Sequence, residues 1–423
     1  DVYKRQDLLE VRAPKPTLMI TTTRDFFSIQ GARETYKEVK QFYQGLNAAN
    51  QIQMVEDDAE HKSTQQNREA MYAFFQKHLN NPGNSADLEV EVFPEQELWV
   101  TEQGKVASLP AAESLFSLNK KAVQQQVEEL KRQRSQPSET TALLSAAKKA
   151  SGFSYPDQFG VPLFSGRFQE EQYLFERYLL PGGGDYQLPL GVFIPKQSSD
   201  GATVLLLDEQ GMAQAAKREE LISNLVNNGY SVVIADLPGL GSLGPGYLKG
   251  DAYVDNTSFN QWFAGILTGK SIVAMRAEDI LRITHFMNTE LSNTNRIYAI
   301  STGPLASELL HASLFEENIN KVALINPFLS YAELALKLDY KPAFITSVVA
   351  GAIKSYDLPD LMTAVSPRSL LVVNPVNTMG MEYINDEPAS LLKYPMEQHR
   401  NFNMVSGQNE DQQIEQILSW LTQ

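Results

Sequence analysis

Asp25, His61 and Ser301 are the residues of this chain whose types could together carry out acyl transfer. In that chemistry a serine hydroxyl attacks a carbonyl, a histidine takes its proton, and a carboxylate fixes the imidazole tautomer. Ser301 lies in Ala299-Ile300-Ser301-Thr302-Gly303, between an apolar run and a helical pattern. Where such a turn carries the nucleophile on a parallel sheet, its acid and histidine follow it in chain order. Here Asp25 and His61 lie far upstream, so they belong to a different unit from Ser301.

The elements that position these residues occur twice. Residues 17–24 form an apolar strand pattern ending at Asp25, followed by a helix whose apolar positions Tyr36, Val39, Tyr43 and Leu46 recur at helical spacing. A second strand over 52–55 leads into the loop with His61, and Met71, Phe74, Phe75 and Leu79 mark another helix, with Ser63 or Thr64 as its N-cap. Residues 369–377 match the first strand and loop without a gap, which puts Asn377 at the place of Asp25. Residues 402–405 match 52–55 through a shared Met-Val pair and lead through 407–411 into a helix over 414–421, and no histidine follows them. The chain therefore reads as one and a quarter copies of a domain.

Asp1-Val2-Tyr3-Lys4-Arg5-Gln6 matches the in-frame translation of a transposon-end sequencing adapter, so residues 1–6 are set aside. Residues 7–81 are then the C-terminal part of a first copy whose serine is expected upstream. Residues 82–160 form a connector, with a hairpin around Gln103-Gly104, a charged solvated helix over 118–131, and a break at Gln136-Pro137-Ser138. The second copy, 161–423, has a strand pair over 173–180 and 190–195. Beyond it, alternating strands and helices over 203–207, 219–228 and 231–235 imply a doubly wound, mostly parallel α/β sheet.

Other motifs carry less. Gly239-Leu240-Gly241-Ser242-Leu243-Gly244 fits a dinucleotide fingerprint, but Pro245-Gly246 stops a helix from opening there, and a phosphate site needs that helix N-terminus. Asp208-Glu209-Gln210-Gly211 follows a strand where a hydrolase places one oxyanion donor. At the Ser301 turn, small residues at 299 and 303 avoid clashes, Pro304 starts a helix, and the Thr302 N–H is the second oxyanion donor. His399 precedes the last strand, His311 lies three turns beyond Ser301, and His285 is a packed or surface histidine, so the second copy has no base for its serine. Ser271 is a weaker nucleophile candidate still.

Composition sets the outer limits. The 423 residues are 43% hydrophobic, enough for a large core, and the formal charge of −15 argues against nucleic acid and anionic membranes as partners. The absence of cysteine excludes disulfides and thiolate chemistry and fits either side of a membrane. The most apolar stretch, 342–353, is too short to span a bilayer, and no paired ligands suggest a metal or another cofactor. Nothing in the sequence indicates oligomeric state.

Taken together, several motifs resemble the α/β-hydrolase superfamily, and within it the tandem acetylxylan-esterase-like hydrolases of bacteria. They are Thr23-Arg24-Asp25-Phe26-Phe27-Ser28 with Gly31-Ala32-Arg33-Glu34, His61 before its helix, Asp236-Leu237-Pro238-Gly239-Leu240-Gly241, Gly269-Lys270-Ser271 with Met275-Arg276-Ala277-Glu278-Asp279, and the Ser301 turn. The resemblance implies a serine esterase acting on acylated carbohydrate such as xylan, periplasmic or secreted, with Asp25 as acid and His61 as base. It also implies a degenerate second copy that is non-catalytic, binding substrate or covering an interface. A prolyl-peptidase relative shares the fold and triad order, but it usually brings a propeller, whose blade repeats of roughly 40–50 residues are not visible. No unit holds serine, histidine and acid together, so no efficient hydrolysis is expected of this chain alone.

Overall fold

The computed structural model describes residues 2–134, 140–196, 202–244, 252–291, 296–383 and 387–423, with the side chains of 2–5 left aside. The break expected at Gln136-Pro137-Ser138 and the Pro245-Gly246 step lie outside these residues. The chain divides into two compact units, residues 1–110 and 111–423.

In the first unit, strands β1 (Thr17–Arg24) and β2 (Ile52–Glu60) pair in parallel, Ile20 opposite Val55. The helix Ile29–Gly45 crosses between them and buries Val39 and Tyr43 against Ala48 and Ile52. The Tyr43 hydroxyl lies 2.9 Å from Thr17 Oγ1, so the ring's polar tip is satisfied inside this small core. Thr64 caps the helix Gln65–His78 by accepting from Asn67 N. The helix Val2–Glu10 includes residues 2–6, and Gln6 is buried with its Nε2 3.3 Å from Glu38 Oε2.

The expected hairpin around Gln103-Gly104 does not form. Its two arms are 3-10 turns, Glu95–Leu98 and Val106–Ser108. Local bonds such as Glu97 N to Pro94 O and Ser108 N to Lys105 O take the place of cross-strand pairing. Gly104, at φ +66°, instead packs against the Trp99 ring. Two short arms with no third strand to cover them gain too little to hold a hairpin.

The second unit carries β3 (Leu163–Gln169), β4 (Tyr173–Pro181), β5 (Gln187–Pro195), β6 (Thr203–Leu207), β7 (Ser231–Ala235), a two-strand flap of β8 (Tyr253–Val254) and β9 (Thr257–Ser258), β10 (Ile297–Thr302), β11 (Ile319–Ile325), β12 (Ser369–Val373) and β13 (Phe402–Val405). Nine of them form one sheet in the order β13-β12-β11-β10-β6-β7-β5-β4-β3. The six from β13 to β7 are parallel, and β5, β4 and β3 run antiparallel to their neighbours. β6 is buried at all five positions, Thr-Val-Leu-Leu-Leu, as a parallel strand covered on both faces must be.

Alternate residues of β10 feed the two cores. Ile297 and Ala299 pack with the helices Ile272–Phe286 and Ala306–Phe315, and Tyr298 and Ile300 pack with Glu219–Asn227 and Glu410–Thr422. After β6 the chain adds β7 on one side and later β10 on the other. The loops leaving β6 and β10 therefore diverge, and a crevice opens beyond their C-terminal ends.

Candidate functional site

In the first unit the parallel pairing brings the C-terminal ends of β1 and β2 to one edge, and Asp25 and His61 leave from those ends. Asp25 Oδ2 lies 2.8 Å from His61 Nδ1. A carboxylate only accepts hydrogen bonds, so Nδ1 donates to it, and in the neutral form of the ring the lone pair is on Nε2. Nε2 has no hydrogen-bond partner among the described residues, and the histidine side chain is 61% exposed against 17% for Asp25.

Several contacts fix this pair. The Phe27 N–H donates to Asp25 Oδ1 at 2.9 Å, and Thr22 Oγ1 donates to Oδ2 at 3.3 Å. The Phe27 N–H first, then the His61 ring, hold the Asp25 carboxyl below the ordinary carboxylate range. Phe26 lies against the imidazole with ring centres 4.5 Å apart. Buried Asn67 donates to Thr21 O at 3.2 Å and so ties the helix start to the end of β1. The pair lines a cavity of about 310 Å³ together with Lys62, Ser63, Arg68 and Met71. A histidine oriented in this way is equipped to accept a proton.

Among the described residues, the loops that follow β12 and β13 in the second unit hold no such pair. Asn377 Oδ1 accepts from Met379 N at 2.9 Å, the same i+2 turn that Asp25 makes with Phe27, so the two loops share a local shape. The neutral amide spends its carbonyl on its own loop. Beyond β13 no histidine stands, and Gln408 is held by Asn374 through two bonds of 2.6 and 3.0 Å. The two strand pairs differ in register: Ile20 pairs with Val55, and Val372 pairs with Met404.

Ser301 does not stand at the turn. It is the fifth residue of β10, fully buried, paired in register with Leu207 and Leu324. By strand alternation its hydroxyl shares the core-facing side of Ala299, and Oγ has no hydrogen-bond partner. The left-handed residue at the strand-to-helix junction is Gly303, φ +58°. The position that a nucleophile would occupy is therefore a glycine, and the residue after it, Pro304, has no N–H to offer an oxyanion. In the loop 208–211, expected to hold the other oxyanion donor, Glu209 N is bound to Thr302 Oγ1 at 3.1 Å.

Glu209 lies against Gly303: a Cβ there would collide with its carboxylate. Burial pushes the Glu209 carboxyl up, opposed by Lys341, whose Nζ is 4.0 Å from Oε1. Around them a cavity of about 250 Å³ is lined by Gln210, Gln214, Asn326 and Glu382. Lys341 was not legible as a lining residue, and Gly303 and Glu209 were read only as parts of the Ser301 turn and of a donor loop, although the Gly303-Pro304 dipeptide at a strand-to-helix junction hints at where the turn lies. Ser271 caps the helix Ile272–Phe286 by accepting from Ala274 N. His311 is buried between Ser307 O and the Tyr356 hydroxyl, and His399 is buried beside Phe402. Among the described residues no group of three or more possible ligands could hold a metal ion, and no helix is long and apolar enough to cross a membrane.

No family model matches the chain, and no curated protein matches it in sequence. Solved structures do resemble it. A Bacteroides fragilis protein described as a candidate acetyl xylan esterase superposes with a TM-score of 0.53 at 15% identity, covering 74% of this chain and 87% of its own. The acetyl xylan esterase of Paenibacillus sp. R4 gives 0.48 at 12% identity over 66% and 92%, and a glucuronoyl esterase from Solibacter usitatus gives 0.46 at 11% over 66% and 90%. The large mostly parallel sheet, in a chain that superposes on the first of these, fits an α/β-hydrolase-like fold.

Proposed function

We propose that this chain is part of a serine carboxylic-ester hydrolase acting on acylated polysaccharide such as xylan. In this proposal the first unit, as the C-terminal part of one hydrolase copy, supplies acid and base, and the second unit is a degenerate, non-catalytic copy. The observation that carries the proposal is the 2.8 Å contact between Asp25 and His61 at the ends of adjacent parallel strands, with Nε2 left open to a hydroxyl. His61 would take the proton of a serine supplied from sequence upstream, and Asp25 would hold the imidazole and stabilise its cation. The substrate class rests on the sequence resemblance and on the fold shared with the Bacteroides fragilis protein.

The test is hydrolysis of 4-nitrophenyl acetate. This chain and its Asp25→Asn, His61→Ala and Ser301→Ala variants should all stay at background. A longer polypeptide carrying the upstream serine should turn over and lose roughly 10³–10⁴-fold on His61→Ala. Turnover by the present chain that vanishes in both Ser301→Ala and His61→Ala would overturn the proposal.

A further inference from the structure

The second unit has lost its nucleophile, but the crevice above it has stayed open and polar. The cavity over Gly303 and a neighbouring one of about 470 Å³ share Glu209, Gln210 and Lys341 as walls, so together they form one cleft across the C-terminal ends of β6 and β10. Its size suits a ligand of several rings. Crevices at this point of a doubly wound sheet are where ligands bind.

Several of the wall groups are unpaired. Among the described residues, the side-chain amides of Gln210, Gln214 and Asn326 and the carboxylate of Glu382 make no hydrogen bond, and Glu209 has only the ammonium 4.0 Å away. The nearby Asp208 charge, by contrast, is neutralised by Arg218 at 3.0 Å. Gln210 and Glu382 are exposed, but Glu209, Gln214 and Asn326 are half-buried, and half-buried polar groups left without partners gain from a ligand that supplies them. Amides donate and accept at once, as sugar hydroxyls do, and the burial that pushes up the Glu209 carboxyl favours a hydrogen-bonded neutral group beside it.

We propose that this cleft is a non-hydrolytic binding site for an oligosaccharide, contacted by Glu209, Gln210, Gln214, Asn326 and Lys341. The choice of sugar rests on the esterase proposal above, but the site does not use Asp25 or His61. Four separate changes explain why it binds without cleaving: glycine at the turn, proline after it, asparagine on the acid loop and no histidine beyond β13.

Titration calorimetry of the whole chain with unacylated xylohexaose tests the site apart from any ester chemistry. The expected result is saturable binding, weakened about tenfold or more by Glu209→Ala and by Gln214→Ala, each the loss of hydrogen bonds to a polar ligand. Circular dichroism checks that each variant is folded, and if Glu209→Ala is not, the Gln214→Ala result decides. The absence of binding up to about 10 mM sugar, or equal affinity in folded variants, would overturn the proposal. Binding lost in His61→Ala but kept in both cleft variants would also overturn it, because the sugar would then lie on the first unit. Failure of the hydrolysis test leaves this outcome untouched.

Discussion

Arg276→Met should destabilise the second unit by about 3–5 kcal/mol, because it leaves a carboxylate buried without its partner. Arg276 Nη1 lies 2.7 Å from Glu308 Oε1, with side chains 3% and 0% exposed. Ser347 Oγ donates to the same oxygen at 2.8 Å, and Arg276 Nε donates to Pro238 O at 2.9 Å, which fixes the loop leaving β7 beside the cleft. A hydroxyl alone cannot replace the cation. Burial raises the Glu308 carboxyl and the arginine opposes that rise, so removing the arginine raises it further. Between the ordinary value of 4.5 and the raised one, the folded variant holds a proton that the unfolded chain lacks. Its stability is therefore lost as pH rises through the folded value and recovered as pH falls toward 4.5.

Replacing both partners, Arg276→Met with Glu308→Leu, removes the stranded charge and should bring stability to within about 2 kcal/mol of the parent, well short of the sum of the two single costs. Urea unfolding followed by tryptophan fluorescence reads this out, since Trp262 and Trp420 both lie in the second unit. Measurements at about pH 7 and about pH 5 separate the charge effect from packing. A single variant costing less than about 1 kcal/mol, or a double variant as damaged as the sum of the singles, would refute the reasoning.

Three further outcomes follow from the geometry. The Asp25 carboxyl should titrate below 3.8 by carbon NMR and move back toward it in His61→Ala, so the stability it contributes is present above 3.8 and lost as pH falls through the lower value. Ser301→Ala removes a buried hydroxyl that has no partner and should leave stability unchanged or raise it by up to about 1 kcal/mol in urea unfolding. Gly303→Ala should cost about 2 kcal/mol or more, from a left-handed alanine and its collision with Glu209. Adding Glu209→Ala should relieve the collision but not the backbone term, and a double variant no better than the single would refute that division.

Much of the first unit was legible because its signals are local. The helical spacing of Val39 and Tyr43, the Thr64 cap and the end of the first strand before Asp25 depend on residues a few positions apart, whereas the second strand runs past the expected 52–55 to Glu60. The hairpin around Gly104 was misread for the same reason: alternation and a turn residue describe a hairpin, but whether it forms depends on what covers it. The register of Val372 with Met404 escaped because a shared dipeptide cannot fix which residues face each other.

By itself, the sequence determined the order of elements, the asparagine at 377, the absence of histidine after residue 402, and the polar residues at strand ends, since all of these follow from residue type and chain order. Only the tertiary structure decided that the turn belongs to Gly303 and not to Ser301. A strand's side chains alternate between faces, so whether a serine reaches the crevice or the core depends on where the strand ends. That end was set by Leu207 and Leu324 pairing on either side of Ser301, far away in the chain.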